Sequence, residues 1–231
     1  MIENETFLGH SKPQKAIIVL VPMILGGLVG WFVPIIANWI LKLPVVPMEK
    51  LILLITFFNS LWVPSIATVI GTIAGLFLGF IILNESLEVT ISYNNLRLKF
   101  GDKINIIKKK DILVIYIENK QLIILGQKSN ELYREVIEVK KETVREAFNK
   151  HQYPWNETDP FGSEYERWAL GNTNFPEKIN VLLYARDRAL KEKKKEDAKY
   201  LREDLAQLGA VIRDERNGQY VRLSQNANFD V

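Results

Sequence analysis

Two long stretches near the N-terminus contain no charged side chain: residues 16–41 and residues 51–84. At about 1.5 Å rise per residue, the first stretch can cross the roughly 30 Å hydrocarbon core of a bilayer as a helix. The second is too long for one straight span, and Trp62 and Pro64 favour a break there. The pattern therefore predicts transmembrane helices over residues 16–41 and about 63–83, with residues 51–60 at the outer interface. A single kinked second span is the alternative.

Glycines recur at intervals of four in both stretches. They are Gly26 and Gly30 in the first stretch, and Gly71, Gly75 and Gly79 in the second. Small residues at this spacing clear one side of a helix and allow two backbones to approach closely. We expect them to pack the two helices against each other as a hairpin, and an interface between copies of the chain is the alternative.

After Glu85 the apolar residues alternate with polar ones, which is typical of strands. The predicted strands are residues 87–93, 96–100, 104–107, 112–117 and 122–125, with turn signals at Asn94-Asn95, Gly101-Asp102 and Asn119-Lys120. Apolar residues at Leu132, Val136, Val139, Val144 and Phe148 predict a helix over residues 130–149. Residues 85–156 are therefore expected to form a small antiparallel β-barrel capped by one helix.

The C-terminal part begins with turn-forming residues, and we predict a linker over residues 157–175 with a short helix near Trp168. Helical spacing then predicts a helical hairpin that ends at Gly209, followed by a β-hairpin turning at Asn217-Gly218. This region spans residues 176–223, and residues 224–231 form a tail. The predicted fold class is a membrane α-hairpin with an α+β soluble part.

Charge and cysteine content narrow the function classes only slightly. The net charge of +3 gives no case for nucleic-acid affinity of the whole chain, and the absence of cysteine excludes disulfides and thiolate metal sites. Basic residues are more frequent outside the two spans than between them: Lys12, Lys15, Arg97, Lys99 and Lys103 against Lys42 and Lys50. The positive-inside rule therefore predicts a multi-pass protein of the cell membrane with cytoplasmic N- and C-termini, and residues 1–15 as a cytoplasmic tail.

Two segments resemble known protein families. Short strands closed by a helix, ending in His151-Gln152-Tyr153-Pro154-Trp155, resemble the bacterial pleckstrin-homology-like domains. Residues 178–223 are similar to the C-terminal anticodon-binding subdomain of cysteinyl-tRNA synthetases, through Arg186, Lys193, Ala198, Leu201, Arg202, Leu205, Gly209, Asp214 and Gly218. Together with the two-helix anchor, this order of segments resembles the YqeB-type family of bacterial membrane proteins.

The synthetase resemblance implies an RNA-binding surface. Where that family has Lys-Asp and Ala-Asp pairs, this chain has Lys193-Lys194 and Ala198-Lys199, which favours contact with phosphate over base recognition. The predicted RNA or partner contacts are Arg186, Arg188, Lys191, Lys193, Lys194, Lys195, Lys199 and Arg202, and a solvated helix face is the alternative. Lys108, Lys109 and Lys110 are predicted contacts for anionic lipid headgroups, with a solvated turn as the alternative.

No catalytic residue, metal site or cofactor is predicted, because the sequence has no phosphate-binding loop, nucleophile–base pair or metal-ligand spacing. We expect that the protein is not an enzyme. The sequence favours a membrane-anchored binding or scaffold protein that presents two small cytoplasmic modules to an unknown protein partner. The alternative is membrane-tethered binding of RNA, such as tRNA, through the C-terminal module. A weaker alternative is a homo-oligomeric pore lined by Asn38, Asn59, Ser60 and Ser65.

Overall fold

The computed structural model describes residues 5–40, 42 and 62–225, and the chain divides into two compact units. The first unit contains two helices, α1 (Lys12–Ile40) and α2 (Trp62–Asn84). Both are long and apolar enough to cross a membrane, over Lys12–Val33 and Trp62–Asn84. The predicted interfacial segment, residues 51–60, lies outside the described residues.

Helices α1 and α2 approach so closely that glycine is required where their backbones meet. A methyl group added to Gly75 would lie 2.0 Å from the carbonyl oxygen of Pro22. One added to Gly26 would lie 2.0 Å from the oxygen of Gly71, and one added to Gly71 would lie 2.1 Å from the oxygen of Gly26. Gly30 meets the backbone of Ala67 and Gly79 that of Val19 in the same way. The five glycines chosen from the sequence thus face the intramolecular contact.

The second unit begins with a four-stranded antiparallel sheet in the order β1-β2-β3-β4. Its strands are β1 (Thr6–Leu8), β2 (Glu88–Ile91), β3 (Asn95–Phe100) and β4 (Lys103–Lys108). Strand β1 lies in the predicted N-terminal tail, before α1, and its residues Thr6 and Leu8 pair with Ile91 and Val89 after α2. One sheet therefore contains strands from both sides of the helical hairpin.

A second antiparallel sheet contains β5 (Ile112–Glu118), β6 (Gln121–Gly126) and β7 (Glu131–Val136). The β5–β6 turn uses Asn119 and Lys120, both with positive φ, as the turn signal predicts. The predicted helix over residues 130–149 is wrong in its first part. Residues 131–136 form strand β7 and pair with β6, and within this range only Lys141–Lys150 form a helix, α3. The pleckstrin-homology-like architecture is confirmed. However, a 3₁₀ turn at Lys109–Asp111 separates β4 from β5, and the two sheets do not close into the predicted barrel.

The segment that follows α3 ties the two sheets together. The His151 Nε2 atom lies 2.7 Å from the hydroxyl oxygen of Thr6 on β1, and the Tyr153 hydroxyl donates to the Ser92 carbonyl at 3.0 Å. The Ile115 amide of β5 donates to the Pro154 carbonyl at 2.8 Å, and Trp155 stacks on Phe148 with 6.0 Å between ring centres. Residues 151–155, the segment that carries the pleckstrin-homology-like resemblance, thus connect the two sheets.

The C-terminal module contains α4 (Glu177–Lys191), α5 (Lys195–Gln207) and a three-stranded sheet. The strand order is β8-β10-β9, formed by β8 (Glu166–Arg167), β9 (Ala210–Glu215) and β10 (Gly218–Leu223). Gly209, at φ +81°, follows α5 and provides the predicted stop. The core contains Trp168, Ile179, Leu183, Leu205, Ile212 and Val221.

The predicted linker is an ordered part of the second unit. Phe161 packs on Val114, Tyr116, Ile123 and Leu125 of the second sheet, whereas Trp168 belongs to the core of the C-terminal module. The short helix expected near Trp168 is instead strand β8 with a 3₁₀ turn at Gly162–Glu164 before it. Pairing of β8 with β10 replaces the local helix that the sequence favours.

Candidate functional site

Arg186 holds the C-terminal module together from the inside. Its side chain, on α4, is only 3% exposed. The guanidinium donates to both carboxylate oxygens of Asp214, at 2.7 and 2.8 Å, and to Gln219 Oε1 at 2.6 Å. Its Nε atom donates to the Ala198 carbonyl of α5 at 3.2 Å. The prediction of Arg186 as an RNA contact is therefore corrected, because the side chain is buried and four of the five N–H donors of its guanidinium are used within the module.

Arg202 and Lys199, both on α5, are also engaged within the fold. The Arg202 guanidinium donates to Asp214, and Lys199 Nζ lies 2.5 Å from Glu135 Oε2 on β7. Burial, with the positive charges of Arg134 and Arg186, lowers the pKa of Arg202 to about 10. These two side chains stabilise contacts inside the second unit and do not present free charges.

The remaining predicted contacts form an exposed surface around the α4–α5 turn, which we call the hairpin surface: Arg188, Lys191, Lys193, Lys194 and Lys195. Three of them make exposed ion pairs, Arg188 and Lys194 with Glu192 at 2.8 and 2.7 Å, and Lys191 with Asp187 at 2.6 Å. Hydrogen bonds from Lys194 and Arg188 lower the pKa of Glu192 to about 2. Within the described part of the chain, Lys193 and Lys195 make no ion pair.

The three consecutive lysines at the end of β4 and in the 3₁₀ turn after it lie in two different environments. Lys109 turns inward, where its Nζ donates to the His151 carbonyl at 2.8 Å and lies 5.0 and 5.1 Å from the ring centres of Tyr93 and Tyr153. Lys108 and Lys110 are exposed. The prediction of Lys109 as a headgroup contact is therefore corrected, since its ammonium group already contacts the His151 carbonyl and the rings of two tyrosines.

Residues that sequence reasoning missed join the C-terminal module to the second sheet. The hydroxyls of Tyr116 and Tyr165 both donate to Asp159 Oδ2, at 2.9 and 3.0 Å. The guanidinium of Arg222 is 2% exposed and lies 4.6 Å from the Phe161 ring centre, while that of Arg213 lies 4.5 Å from the ring centre of Tyr165. We call this set the tyrosine–arginine interface. The aromatic content of residues 153–168 was the available signal, because linkers rarely contain so many large rings.

The tyrosine–arginine interface is suited to stabilising the fold and not to transferring protons. Burial, with the charge of Asp159, raises the pKa of Tyr165 to about 12, and burial raises that of Tyr116 further. Both hydroxyls therefore remain protonated near neutral pH and act as donors to the carboxylate. Among the described residues, no group of three or more His, Cys, Asp or Glu side chains could hold a metal ion.

An open groove of about 530 Å³ lies on the C-terminal module. Leu170, Phe175, Val181 and Tyr184 provide its apolar walls, and Asn172 and Asn180 its polar groups. Of the predicted pore residues, Asn59 and Ser60 lie outside the described residues. Asn38 and Ser65 are exposed on α1 and α2.

Comparison with known proteins agrees with this division of the chain. Residues 6–156 match the YqeB-like bacterial PH domain, and residues 172–222 match the anticodon-binding domain of cysteinyl-tRNA ligase. The chain is 33% identical over 228 residues to the Bacillus subtilis (strain 168) protein called "Uncharacterized protein YqeB", covering 97% of this chain and 95% of that protein. No solved structure matches. The chain therefore belongs to the family of YqeB-like bacterial PH-domain proteins.

Proposed function

We propose that this chain is a non-catalytic binding protein that a two-helix anchor holds at the cytoplasmic face of the cell membrane. The observation that carries the proposal is the pairing of β1 with β2, in which Leu8 and Val89 are Cα partners. If α1 and α2 both cross the bilayer, this ladder requires both ends of the hairpin to lie on one side. The excess of Lys and Arg outside the two spans favours the cytoplasmic side.

The second unit presents one composite surface, in contrast to the two separate modules expected from the sequence. Phe161 packs on the second sheet, Asp159 binds Tyr116 of β5, and the Gln225 amide donates to the Lys128 carbonyl at 3.0 Å. Because these contacts fix the C-terminal module on the second sheet, a partner can contact both without ordering a flexible linker. The anchor would raise the local concentration of this surface for membrane-associated partners.

Affinity capture with the intact chain in detergent, followed by crosslinking mass spectrometry, tests this function. We expect a protein partner whose crosslinks lie on residues 85–225. The matched control contains residues 10–84 only, because β1 without its partner strand would expose an unpaired edge. Recovery of no partner above this control would contradict the proposal.

RNA binding is a second candidate function, favoured by the match of residues 172–222 to an anticodon-binding domain. The hairpin surface supplies the cations, with Lys193 and Lys195 the two that make no ion pair within the described residues. Such contacts would bind the phosphate backbone and not read bases. Because Arg186 and Arg202 are engaged with Asp214, they do not contribute.

Binding of the full chain in nanodiscs to tRNA, measured across salt concentrations, tests this candidate. The double variant K193Q/K195Q should weaken binding and reduce the slope of log affinity against log salt by about 2, as expected for two lost phosphate contacts. The control variant K128Q/K150Q changes two exposed lysines of the other module. Absence of binding at about 50 mM salt, or equal binding by both double variants, would exclude RNA as the ligand of the hairpin surface.

A further inference from the structure

The first sheet carries apolar and basic side chains together on its outer face. Val89 of β2 and Leu98 of β3 are paired and fully buried, so Thr90 and its partner Arg97 point outward. By the same register, Lys99 and Glu88 share the outer face. Ile104, Ile106 and Lys108 of β4 lie on one face by the period of two, opposite the half-buried Ile107. We call this set the outer sheet face.

The two isoleucines of β4 are unusual for a solvated strand. Ile106 is 67% exposed and Ile104 is 46% exposed, although β4 is an edge strand of the sheet. Edge strands that face water usually carry charged residues at such positions, because an exposed apolar edge promotes association. Arg97 and Lys99 of β3 and Lys108 of β4 belong to the same outer sheet face, and Glu88 is the one acid among its named residues. Exposed apolar side chains that share a face with basic ones are suited to an anionic lipid surface.

Chain connectivity keeps this sheet close to any bilayer that the hairpin crosses. Three residues, 9–11, join β1 to α1, and three residues, 85–87, join α2 to β2. Fully extended, each connection spans no more than about 15 Å. Lys99 lies opposite Glu88, the first residue of β2, and the β3–β4 turn begins two residues later. The end of the sheet that carries Lys99 and Ile104 is therefore the end with the shortest covalent link to the helices.

We propose that the outer sheet face binds the anionic surface of the bilayer in which the chain is anchored. Ile104 and Ile106 enter the boundary between headgroups and acyl chains, and Arg97, Lys99 and Lys108 contact lipid phosphates. This assignment replaces the Lys108–Lys110 cluster predicted from sequence, of which Lys109 is turned inward. The inference rests on the anchoring part of the proposed function but is independent of the identity of any protein partner.

The absence of native cysteine allows a direct test in the full chain. The variant I106C carries an environment-sensitive fluorophore and is reconstituted into nanodiscs of phosphatidylcholine, alone or mixed equally with phosphatidylglycerol. Lipids with a shallow doxyl group act as quenchers. The matched control is V181C on α4, because Val181 is aliphatic and similarly exposed, at 60%. A third label at Phe77 of α2 reports whether the hairpin itself is in the bilayer.

In the mixed nanodiscs we expect doxyl lipids to quench the label at residue 106 at least about twofold more than the label at residue 181. Adding R97Q, K99Q and K108Q to I106C should reduce that quenching by about half in the mixed nanodiscs and change little in pure phosphatidylcholine.

Quenching at residue 77 together with equal, weak quenching at residues 106 and 181 would overturn the lipid assignment and leave the anchor intact. Shielding of the residue 106 label from aqueous iodide without quenching by doxyl lipid would also overturn it, because a protein surface would then cover the face. Absence of quenching at residue 77 would overturn the anchor and this inference together.

Discussion

Arg186 and Arg188 are two residues apart on α4, yet their side chains meet different surroundings. Arg186 points into the module and binds Asp214 and Gln219, whereas Arg188 is exposed and pairs with Glu192 one turn further on. The sequence shows both as basic residues of a charged helix. Only the approach of β9 and β10, 28 and 33 positions away along the chain, distinguishes them. Local pattern therefore identifies the helix but not the role of its charges.

Replacing Arg186 should destabilise the C-terminal module, because the carboxylate of Asp214 and the amide oxygen of Gln219 lose their donor. We expect R186A to lower the free energy of unfolding by about 2–3 kcal/mol, less than for a fully buried pair because the Asp214 side chain is 41% exposed. R186K should restore little, since an ammonium group cannot form the two-pronged contact. Denaturant unfolding in detergent measures the effect, with exposed R188A as the control expected to be unchanged.

The Asp214 carboxylate should make stability depend on acid pH. Burial opposes its charge, but the hydrogen bonds from Arg186 and the charges of Arg202 and Arg186 outweigh burial, so the pKa of Asp214 lies below its ordinary value of 3.8. A lowered pKa gives stability that is present above pH 3.8 and lost as the pH falls through the value in the folded protein. The thermal midpoints of wild type and D214N should therefore differ constantly above about pH 5 and converge towards pH 3. A difference that is unchanged at pH 3 would contradict this account.

At the scale of elements, the periodicity of apolar residues predicted most of the helices and strands. The two apolar helices, strands β2 to β6, the α4–α5 hairpin and the final β-hairpin all follow local sequence signals. Strand β1 was missed because three residues carry too little pattern, and its partner lies more than 80 residues away. Strand β7 was predicted as helix because Leu132 and Val136 are four apart. Pairing with β6, which buries Tyr133 instead, decides the outcome.

The contact between α1 and α2 should not tolerate a side chain at the closest glycine. We expect G75A to cost about 1–3 kcal/mol of hairpin stability, because the new methyl group would overlap the backbone carbonyl of Pro22. G27A is the matched control, since its methyl group would meet the side chains of Thr72 and Thr68 and not backbone. Thermal unfolding followed by circular dichroism in detergent compares them, and equal midpoints for the two variants would refute the packing.

For the whole molecule, the sequence indicated two modules and a linker, and the structure joins them. The contacts responsible are long-range ones, such as Asp159 with Tyr116 and Lys199 with Glu135. They could not be predicted because each side chain has an equally plausible solvated state in its local segment. The consequence for function is that the hairpin surface and the groove of the C-terminal module are presented in fixed positions relative to the second sheet.

The variant D159A should weaken the contact between the C-terminal module and the second sheet. Tyr116 and Tyr165 would both lose their acceptor in a largely buried setting, and we expect limited proteolysis within residues 156–175 to become several-fold faster. The control D187A removes an acid that forms an ion pair with the exposed Lys191. Equal proteolysis of the two variants would show that Asp159 does not hold the modules together.

The central claim is that one soluble unit is held at the inner face of the membrane by two spanning helices. Single cysteines at Phe7, Lys42 and Val181 test it with a membrane-impermeant maleimide, since no native cysteine interferes. In intact spheroplasts we expect labelling of K42C alone, and labelling of F7C and V181C only after permeabilisation. Labelling of F7C or V181C in intact spheroplasts would contradict the account, whatever the reactivity of K42C.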